Sequence, residues 1–217
     1  MTVIAVDGPA AAGKGTLARR LAQHYGFAFL DTGALYRAVG LTVLRAGGDP
    51  ADAATAVGAA KTLDLRVIED PAIRDDAVAD AASKVAAIPE VRAALLDVQR
   101  QFAAHPPGGK PGAVLDGRDI GTAVCPRADV KLFVTADLPT RARRRWAEWQ
   151  ALGRSISLEQ VMADMAARDQ RDQTRAAAPL APARDAILLD TTNSDIEAVF
   201  KAALQAVEDK IGRPRAG

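Results

Sequence analysis

Residues 8 to 16 read GPAAAGKGT, directly after the apolar run Thr2 to Val6 and directly before a helix-forming segment. Strand, glycine-rich turn and helix in that order leave a chain few ways to fold. Gly8 and Gly13 permit backbone conformations and close approaches that a Cβ blocks. The N–H groups of such a turn and of the first helical turn converge on an anion, and the helix dipole adds partial positive charge. Lys14 supplies a full charge for the β- and γ-phosphates of a nucleotide. The stretch Gly8, Pro9, Ala10, Ala11, Ala12, Gly13, Lys14, Gly15 and Thr16 therefore reads as a phosphate-binding loop. Thr16 departs from the usual pattern, in which Ser or Thr follows the lysine directly to meet Mg²⁺. Here Gly15 intervenes, and the Thr16 hydroxyl is left to phosphate or bound water.

Five short apolar runs read as buried strands: Thr2 to Val6, Phe27 to Leu30, Ala113 to Leu115, Val130 to Val134 and Ala186 to Leu189. Four are closed by an acid, at Asp7, Asp31, Asp116 and Asp190. Alanine-rich helical stretches separate them: Lys14 to Tyr25, Ala34 to Arg45, Ala51 to Thr62, Asp76 to Ala87, Glu90 to Ala104, Thr140 to Leu152, Leu158 to Arg175 and Asp195 to Ile211. This alternation predicts a parallel sheet covered by helices, with ligands outside the carboxyl ends of the strands. The segment from Asp31 to Gly112 is too long for one crossover and implies an inserted subdomain, with a strand-like run at Leu63 to Glu69. A second excursion, Arg141 to Pro182, reads as two arginine-rich helices joined around Gly153.

With 217 residues, 49% hydrophobic and 25% charged, the chain can bury one sizeable α/β core. A net charge of +1 argues against broad nucleic-acid binding and for a small-molecule partner. The lone Cys125 excludes an internal disulfide and reads as a buried or incidental thiol. No run is long enough to span a bilayer and the N-terminus has no signal-peptide pattern, so cytoplasmic residence is the expectation. His24 and His105 share no acid–base or metal motif and read as structural or surface residues.

Three further segments carry chemistry. In AVLDGRD, Ala113 to Asp119, an acid closes a strand, and in a phosphate-loop protein such an acid commonly holds Mg²⁺ or its water shell. Asp116 is the candidate, against a plain Asp-Gly turn. In RDQRDQTR, helical spacing gathers Arg168, Arg171, Asp172 and Arg175 on one face, fit to clamp phosphoryl groups. In TRARRRW, Arg141, Arg144 and Arg145 share a broad face, and Arg154 lies past the turn; these are expected to close over bound nucleotide and exclude water. Trp146 and Trp149 read as packing. In DTGALYR, Arg37 sits one helical turn in, where it can meet an acceptor phosphate or remain a surface arginine.

GPAAAGKGT, DTGALYRA, DAASKVAAIPEVR, LDGRDIGT and RDQRDQTRAAAPL occur in the order seen in bacterial cytidylate kinases, and the chain resembles that family over nearly its whole length. The resemblance implies the P-loop fold with a five-stranded parallel sheet, a small acceptor-binding insert and a helical lid. In this chain these map to a core at about 1–45, 90–140 and 183–217, an insert at about 46–89 and a lid at about 141–182. It implies transfer of the γ-phosphoryl group of ATP, with Mg²⁺, to CMP or dCMP by a monomer. Gly8 to Thr16 would hold ATP. Arg37 and Arg118 would hold the CMP phosphate. Thr32, Arg92, Asp119 and Arg175 would surround the pyrimidine, and Ser83, Arg168 and Asp172 would serve the sugar. Lys14, Arg118 and Arg171 would act at the transferring group. Asp119 has a chemical rationale, because a carboxylate accepts from the cytosine amino group but faces only a carbonyl in uracil. Two departures stand out: many relatives carry a longer hairpin after the run LDLRVIE, so the inserted sheet is expected to be trimmed, and Thr32 replaces a serine. A kinase of another small acceptor (AMP, UMP or shikimate) on the same core, and a nucleotide-binding switch, are the competing readings.

Overall fold

The apolar segments become β1 (Thr2–Asp7), β2 (Ala28–Asp31), β3 (Gly112–Gly117), β4 (Val130–Thr135) and β5 (Ile187–Asp190). In the computed structural model, which describes residues 1–212, they form one all-parallel sheet in the order β2-β3-β1-β4-β5. The strands at the centre are buried on both faces, which is why β1, β3 and β4 read as unbroken apolar runs rather than alternations. Register places Val6 and Asp31 beside Asp116, and Asp7 beside Gly117 and Phe133, so the strand-closing acids gather at one sheet edge.

Helices α1 (Lys14–Tyr25), α2 (Thr32–Arg45), α3 (Ala53–Lys61), α4 (Asp76–Val85), α5 (Pro89–Ala104), α6 (Leu138–Ala151), α7 (Leu158–Thr174) and α8 (Ile196–Ile211) cover the sheet and its edge. On one face Leu17 and Leu21 of α1 and Ala203 and Val207 of α8 pack on Ile4, Val6, Val114 and Leu132. On the other, Ala103 of α5 and Ile120 pack on Ala5, Ala113 and Leu115. Short polar side chains start the helices: Asp31, Asp52, Asp137, Ser157 and Asp195 each accept a first-turn amide, a cap worth about 1 kcal/mol apiece. Pro139 occupies the first turn of α6, where its missing N–H costs no bond.

The insert differs from expectation. Leu63 to Glu69 forms no strand; Leu65–Glu69 is a 3-10 turn, and Pro71–Arg74 is a second. The Asp64 carboxylate accepts from the Arg66 amide at 3.0 Å, and Asp70 accepts from the Ala72 amide at 2.9 Å. These local bonds outcompete a strand that has no neighbour to pair with. The inserted sheet is thus absent among the described residues, and α3, α4 and the two turns pack on α2 instead. Between α6 and α7, Trp146 and Trp149 pack with Ala142, Val161 and Met165, as expected of them. His24 packs edge-on against Tyr25 and Phe200, a structural role. Of the expected core segment 183–217, residues 213–217 lie outside the described residues.

Among the described glycines, Gly8 of the phosphate loop leaves the least room for a Cβ. Gly8 has φ +146°, and a Cβ there would sit 1.9 Å from the Val134 carbonyl oxygen on β4. Backbone strain of about 1–3 kcal/mol adds to a clash of similar cost. Gly8→Ala is expected to lower the thermal unfolding midpoint by roughly 5–15 °C, readable by calorimetry. A midpoint unchanged within a degree would mean that the loop does not seat against β4.

Candidate active site

Two cavities meet at the carboxyl edge of the sheet. The first, about 550 Å³, runs along the phosphate loop and α1 and is walled by Arg144, Arg145 and Glu148 of α6 and by Thr191, Ser194 and Phe200 near α8. Gly13, at φ 89°, is the N-cap of α1 and makes no side-chain cap. The amides of Lys14, Gly15 and Thr16 lie in the first helical turn, where they have no helical acceptor. They are therefore available to an anion, with the helix dipole behind them. Thr16 is exposed and lines this cavity.

The second cavity, about 180 Å³, is lined by Thr32, Arg37, Ser83, Arg92, Arg118, Asp119, Arg168, Asp172 and Arg175, all nine residues expected around the acceptor. They come from α2, α4, α5, the turn after β3 and α7. Lys14, Gly15, Ala11 and Arg145 line both cavities, so the junction lies at the lysine. Seven cationic side chains line the second cavity against four carboxylates, Asp31, Asp116, Asp119 and Asp172. A phosphate-bearing ligand neutralises that excess.

At the junction, Lys14 Nζ lies 3.3 Å from Asp116 Oδ1, both largely buried. Burial, then the neighbouring Arg118, pushes the ammonium below its ordinary pKa; burial pushes the Asp116 carboxyl up despite Lys14. Thr32 Oγ donates to the Asp116 carbonyl at 2.8 Å and fixes the start of α2. Asp31 takes Arg37 Nη2 at 2.6 Å; burial opposes its charge, but Arg37 and Lys14 outweigh burial and hold the carboxyl low.

In the second cavity Asp119 is held between two buried guanidiniums, Arg92 on Oδ2 and Arg175 on Oδ1, the latter at 3.3 Å. A carboxylate offers about four lone-pair sites, so acceptor capacity remains on both oxygens. The turn that presents it is anchored from below. Asp7 accepts the Ile120 and Gly121 amides at 2.7 Å each, and burial, partly opposed by those bonds, pushes its carboxyl up to about 7. Arg92 also lies over the Tyr36 ring, 5.4 Å from its centroid. Asp172 takes Arg118 Nε at 3.1 Å; burial opposes its charge, but Arg118 and Arg168 keep its carboxyl low.

Arg168 Nε is sealed from solvent with no hydrogen-bond partner in the described structure, and burial together with Arg118 lowers its pKa to about 10. Such a group weakens the fold and gains from an anion. Arg168→Met is expected to raise the unfolding midpoint of the ligand-free protein by a few degrees while raising the KM for the acceptor more than tenfold. The sign follows from a folded pKa below the unfolded one. The folded state carries its penalty at every pH below about 10, so the gain is equal at pH 6 and pH 8. A destabilised variant would show that Arg168 is satisfied within the protein.

The structure departs from expectation at four arginines. Arg171 does not line the second cavity with its helical neighbours; its Nε donates to Ser83 Oγ at 3.2 Å and its Nη2 to Asp80 at 3.0 Å, which ties α7 to α4. Arg141 is not poised over the cavity but is buried, paired with Asp169 at 2.7 Å. Arg144 lines the donor cavity yet is spent on Thr191, and Arg154 pairs with Asp76 of α4. Of Arg141, Arg144, Arg145 and Arg154, the arginines expected to close over nucleotide, Arg145 at the junction best fits that role. Sequence reasoning missed Tyr36 and Thr191 as cavity-lining residues. Tyr36 stood one residue from Arg37 in DTGALYR; nothing marked Thr191 beyond the acid before it.

Comparison with known proteins decides the family. The family model described as "Cytidylate kinase" matches residues 4–209. The chain belongs to the cytidylate kinase family. It is 60% identical over 209 residues to the cytidylate kinase of Paramagnetospirillum magneticum, covering 96% of this chain and 99% of that one. It is 56% identical over 208 residues to that of Rhodospirillum rubrum, covering 96% and 98%. Among solved structures, a sugar kinase from Janibacter is similar in fold alone, at 14% identity and a TM-score of 0.52 over 100% of this chain and 99% of that chain. The match places this member of the cytidylate kinase family on a P-loop kinase fold with an all-parallel five-stranded sheet. Among the described residues, no helix is long and apolar enough to cross a membrane.

Proposed function

We propose that the chain transfers the γ-phosphoryl group of ATP to CMP or dCMP, giving ADP and CDP or dCDP, as a monomeric enzyme of cytoplasmic pyrimidine nucleotide metabolism. The observation that carries this reading is the meeting of the two cavities at Lys14, with a carboxylate, Asp119, clamped between Arg92 and Arg175 in the lining of the second cavity. ATP would lie along the loop, its phosphates on the first-turn amides of α1 and on Lys14. The acceptor phosphate would sit between Arg37, Arg118 and Arg168, and the base between Arg92, Asp119 and Arg175. Tyr36 would wall the base, and Ser83 and Asp172 would take the sugar hydroxyl groups. No general base is required, since the acceptor phosphate is already anionic and catalysis rests on alignment and charge stabilisation.

Asp116 fits a divalent metal: its buried Oδ1 has no partner among the described residues beyond the Lys14 ammonium at 3.3 Å, and the carboxylate faces the phosphate loop. No cluster of three or more metal-ligating side chains occurs among the described residues, so most ligands would come from ATP phosphates and water, in keeping with Mg²⁺. When bound, the metal would neutralise β- and γ-phosphate charge; Asp116 would hold its water shell. Arg118 and Lys14 flank the junction and would bear the transition-state charge. Arg171, held by Asp80 and Ser83, would act by closing α7 on α4 rather than by touching phosphate.

The test is ADP formation from ATP and Mg²⁺ with CMP, dCMP, UMP, AMP or no acceptor, with product identity checked. Strong CMP-dependent CDP formation is expected. Activity only with another acceptor overturns the pocket assignment, and nucleotide binding without transfer favours a switch.

A further inference from the structure

Two buried side chains reach the carbonyl oxygens of the phosphate loop. Thr191, the first residue after β5, is 4% exposed and donates its hydroxyl to the Ala12 carbonyl at 3.0 Å. Arg141, 5% exposed, donates Nη1 to the Ala10 carbonyl at 3.3 Å. Both are themselves held. The Thr191 amide donates to the Thr135 carbonyl on β4 at 2.8 Å, and its hydroxyl accepts from Arg144 Nη1 at 2.9 Å. Arg144 Nη2 donates to the Thr191 carbonyl at 2.6 Å. Arg141 Nε donates to the Ala136 carbonyl at 2.9 Å, and its Nη2 reaches Asp169.

In a trans peptide the C=O and the following N–H point in opposite directions, and no cis peptide occurs in the described residues. Fixing the Ala12 carbonyl therefore aims the Gly13 amide the other way, and fixing the Ala10 carbonyl does the same for the Ala11 amide. Both amides belong to residues in the left-handed region, Ala11 at φ 57° and Gly13 at φ 89°. A non-glycine residue holds that conformation only where its surroundings over-determine it.

We propose that Thr191 and Arg141 are positioning residues for the donor phosphates, which orient the loop amides by gripping the carbonyls behind them. The hydroxyl of Thr191 has one proton, and it goes to Ala12; its lone pairs take Arg144, so the first turns of α6, the β5 exit and the loop form one hydrogen-bonded unit. Lid motion then begins beyond Arg144 rather than at Arg141. The inference rests on ATP being the donor.

Binding of ATP and of inorganic tripolyphosphate, measured by titration calorimetry on the full chain, tests it with Thr191→Val and Thr191→Ser. The isosteric valine is expected to weaken both ligands by the same factor, about tenfold, as loss of a preorganised hydrogen bond would. Serine is expected to restore both to within about twofold, and the KM for CMP is expected to stay unchanged. Loss of ATP affinity with tripolyphosphate unaffected would mean that the hydroxyl serves the nucleoside, and would overturn the proposal. Unchanged affinities in valine, or no rescue by serine, would overturn it equally. Should valine not fold, Arg141→Lys keeps the charge toward Asp169 but loses the span between two carbonyls. Unchanged tripolyphosphate binding in that variant overturns the proposal as well. Wild-type protein that binds ATP and tripolyphosphate but makes no CDP would sink the proposed reaction alone.

Discussion

Lys14→Ala is expected to lower kcat with ATP and CMP by about 10³-fold while leaving the fold in place. Lys14 is the single ammonium shared by both cavities, so no neighbour can substitute for it at the point where phosphoryl charge moves. Arg118 and Arg145 are close, but each is already placed: Arg118 on Asp172 and Arg145 on Glu148. The fold survives because the partner left behind can neutralise. Burial has already raised the Asp116 pKa, and removing Lys14 removes the largest influence that lowers it. In the folded variant Asp116 therefore keeps its proton to higher pH than in the wild type. A folded pKa raised above the unfolded one means stability is fully present at low pH and lost as pH rises through the folded value. The stability penalty of Lys14→Ala is therefore expected to be smaller at pH 5 than at pH 8. Calorimetric midpoints across that range, with steady-state ADP release, check both halves. Near-normal turnover would remove Lys14 from the chemistry, and a penalty larger at pH 5 would contradict the Asp116 account.

The residues that the sequence made legible share a property: their meaning is set by offsets along one segment. GPAAAGKGT fixes a loop because glycines and lysine at those spacings have one local geometry that suits them. The strand-closing acids mark the active edge because every parallel strand delivers its carboxyl end to the same side. Arg37, Arg168, Asp172 and Arg175 stood out within their own segments, but the nine residues expected around the acceptor became legible as one set only through the order of whole motifs, as no local pattern brings α2, α4, α5 and α7 to one cavity.

What was not legible depended on which side of an element faces its neighbour. Arg171 follows Arg168 by three residues, which on a 3.6-residue helix leaves it about 60° off that line. That offset is enough to send it to Asp80 and Ser83 of α4 while Arg168, Asp172 and Arg175 face the cavity. In TRARRRW, arginines occur on several faces of one helix, and phase alone does not say that Arg141 turns inward to Ala10 and Asp169. Leu63 to Glu69 alternates like a strand, but its fate was decided by the aspartates that cap two 3-10 turns and by the lack of a pairing partner. Arg154, expected over the nucleotide, and Arg171, expected at the transferring group, instead tie the α6–α7 segment to α4, Arg154 through Asp76 and Arg171 through Asp80. Both pairs are partly exposed, so each contributes little to stability and is weakened by salt.

Asp119→Asn carries the largest expected change in specificity. A site built to hydrogen-bond one substrate group rejects an analogue lacking it by about 10⁴-fold, because buried polar groups are left unpaired. In the wild-type chain the carboxylate only accepts, so a cytosine amino group finds a partner and a uracil carbonyl meets negative charge. The amide replaces one acceptor oxygen by a donor, which suits the uracil carbonyl and removes the distinction. The ratio of kcat/KM for CMP over UMP is expected to fall from about 10⁴ to below about 10, most of it through loss of CMP activity. The substitution also strips the counter-ion from Arg92 and Arg175, whose side chains are 9% and 4% exposed. Breaking a buried pair in this way costs about 3–5 kcal/mol, so the unfolding midpoint is expected to drop as well. These two effects separate cleanly. A fold weakened throughout lowers turnover with CMP and UMP together and leaves their ratio alone, whereas loss of base recognition collapses the ratio even at temperatures well below the midpoint. A variant that keeps its preference for CMP would move recognition of the base away from Asp119, to the guanidiniums that flank it.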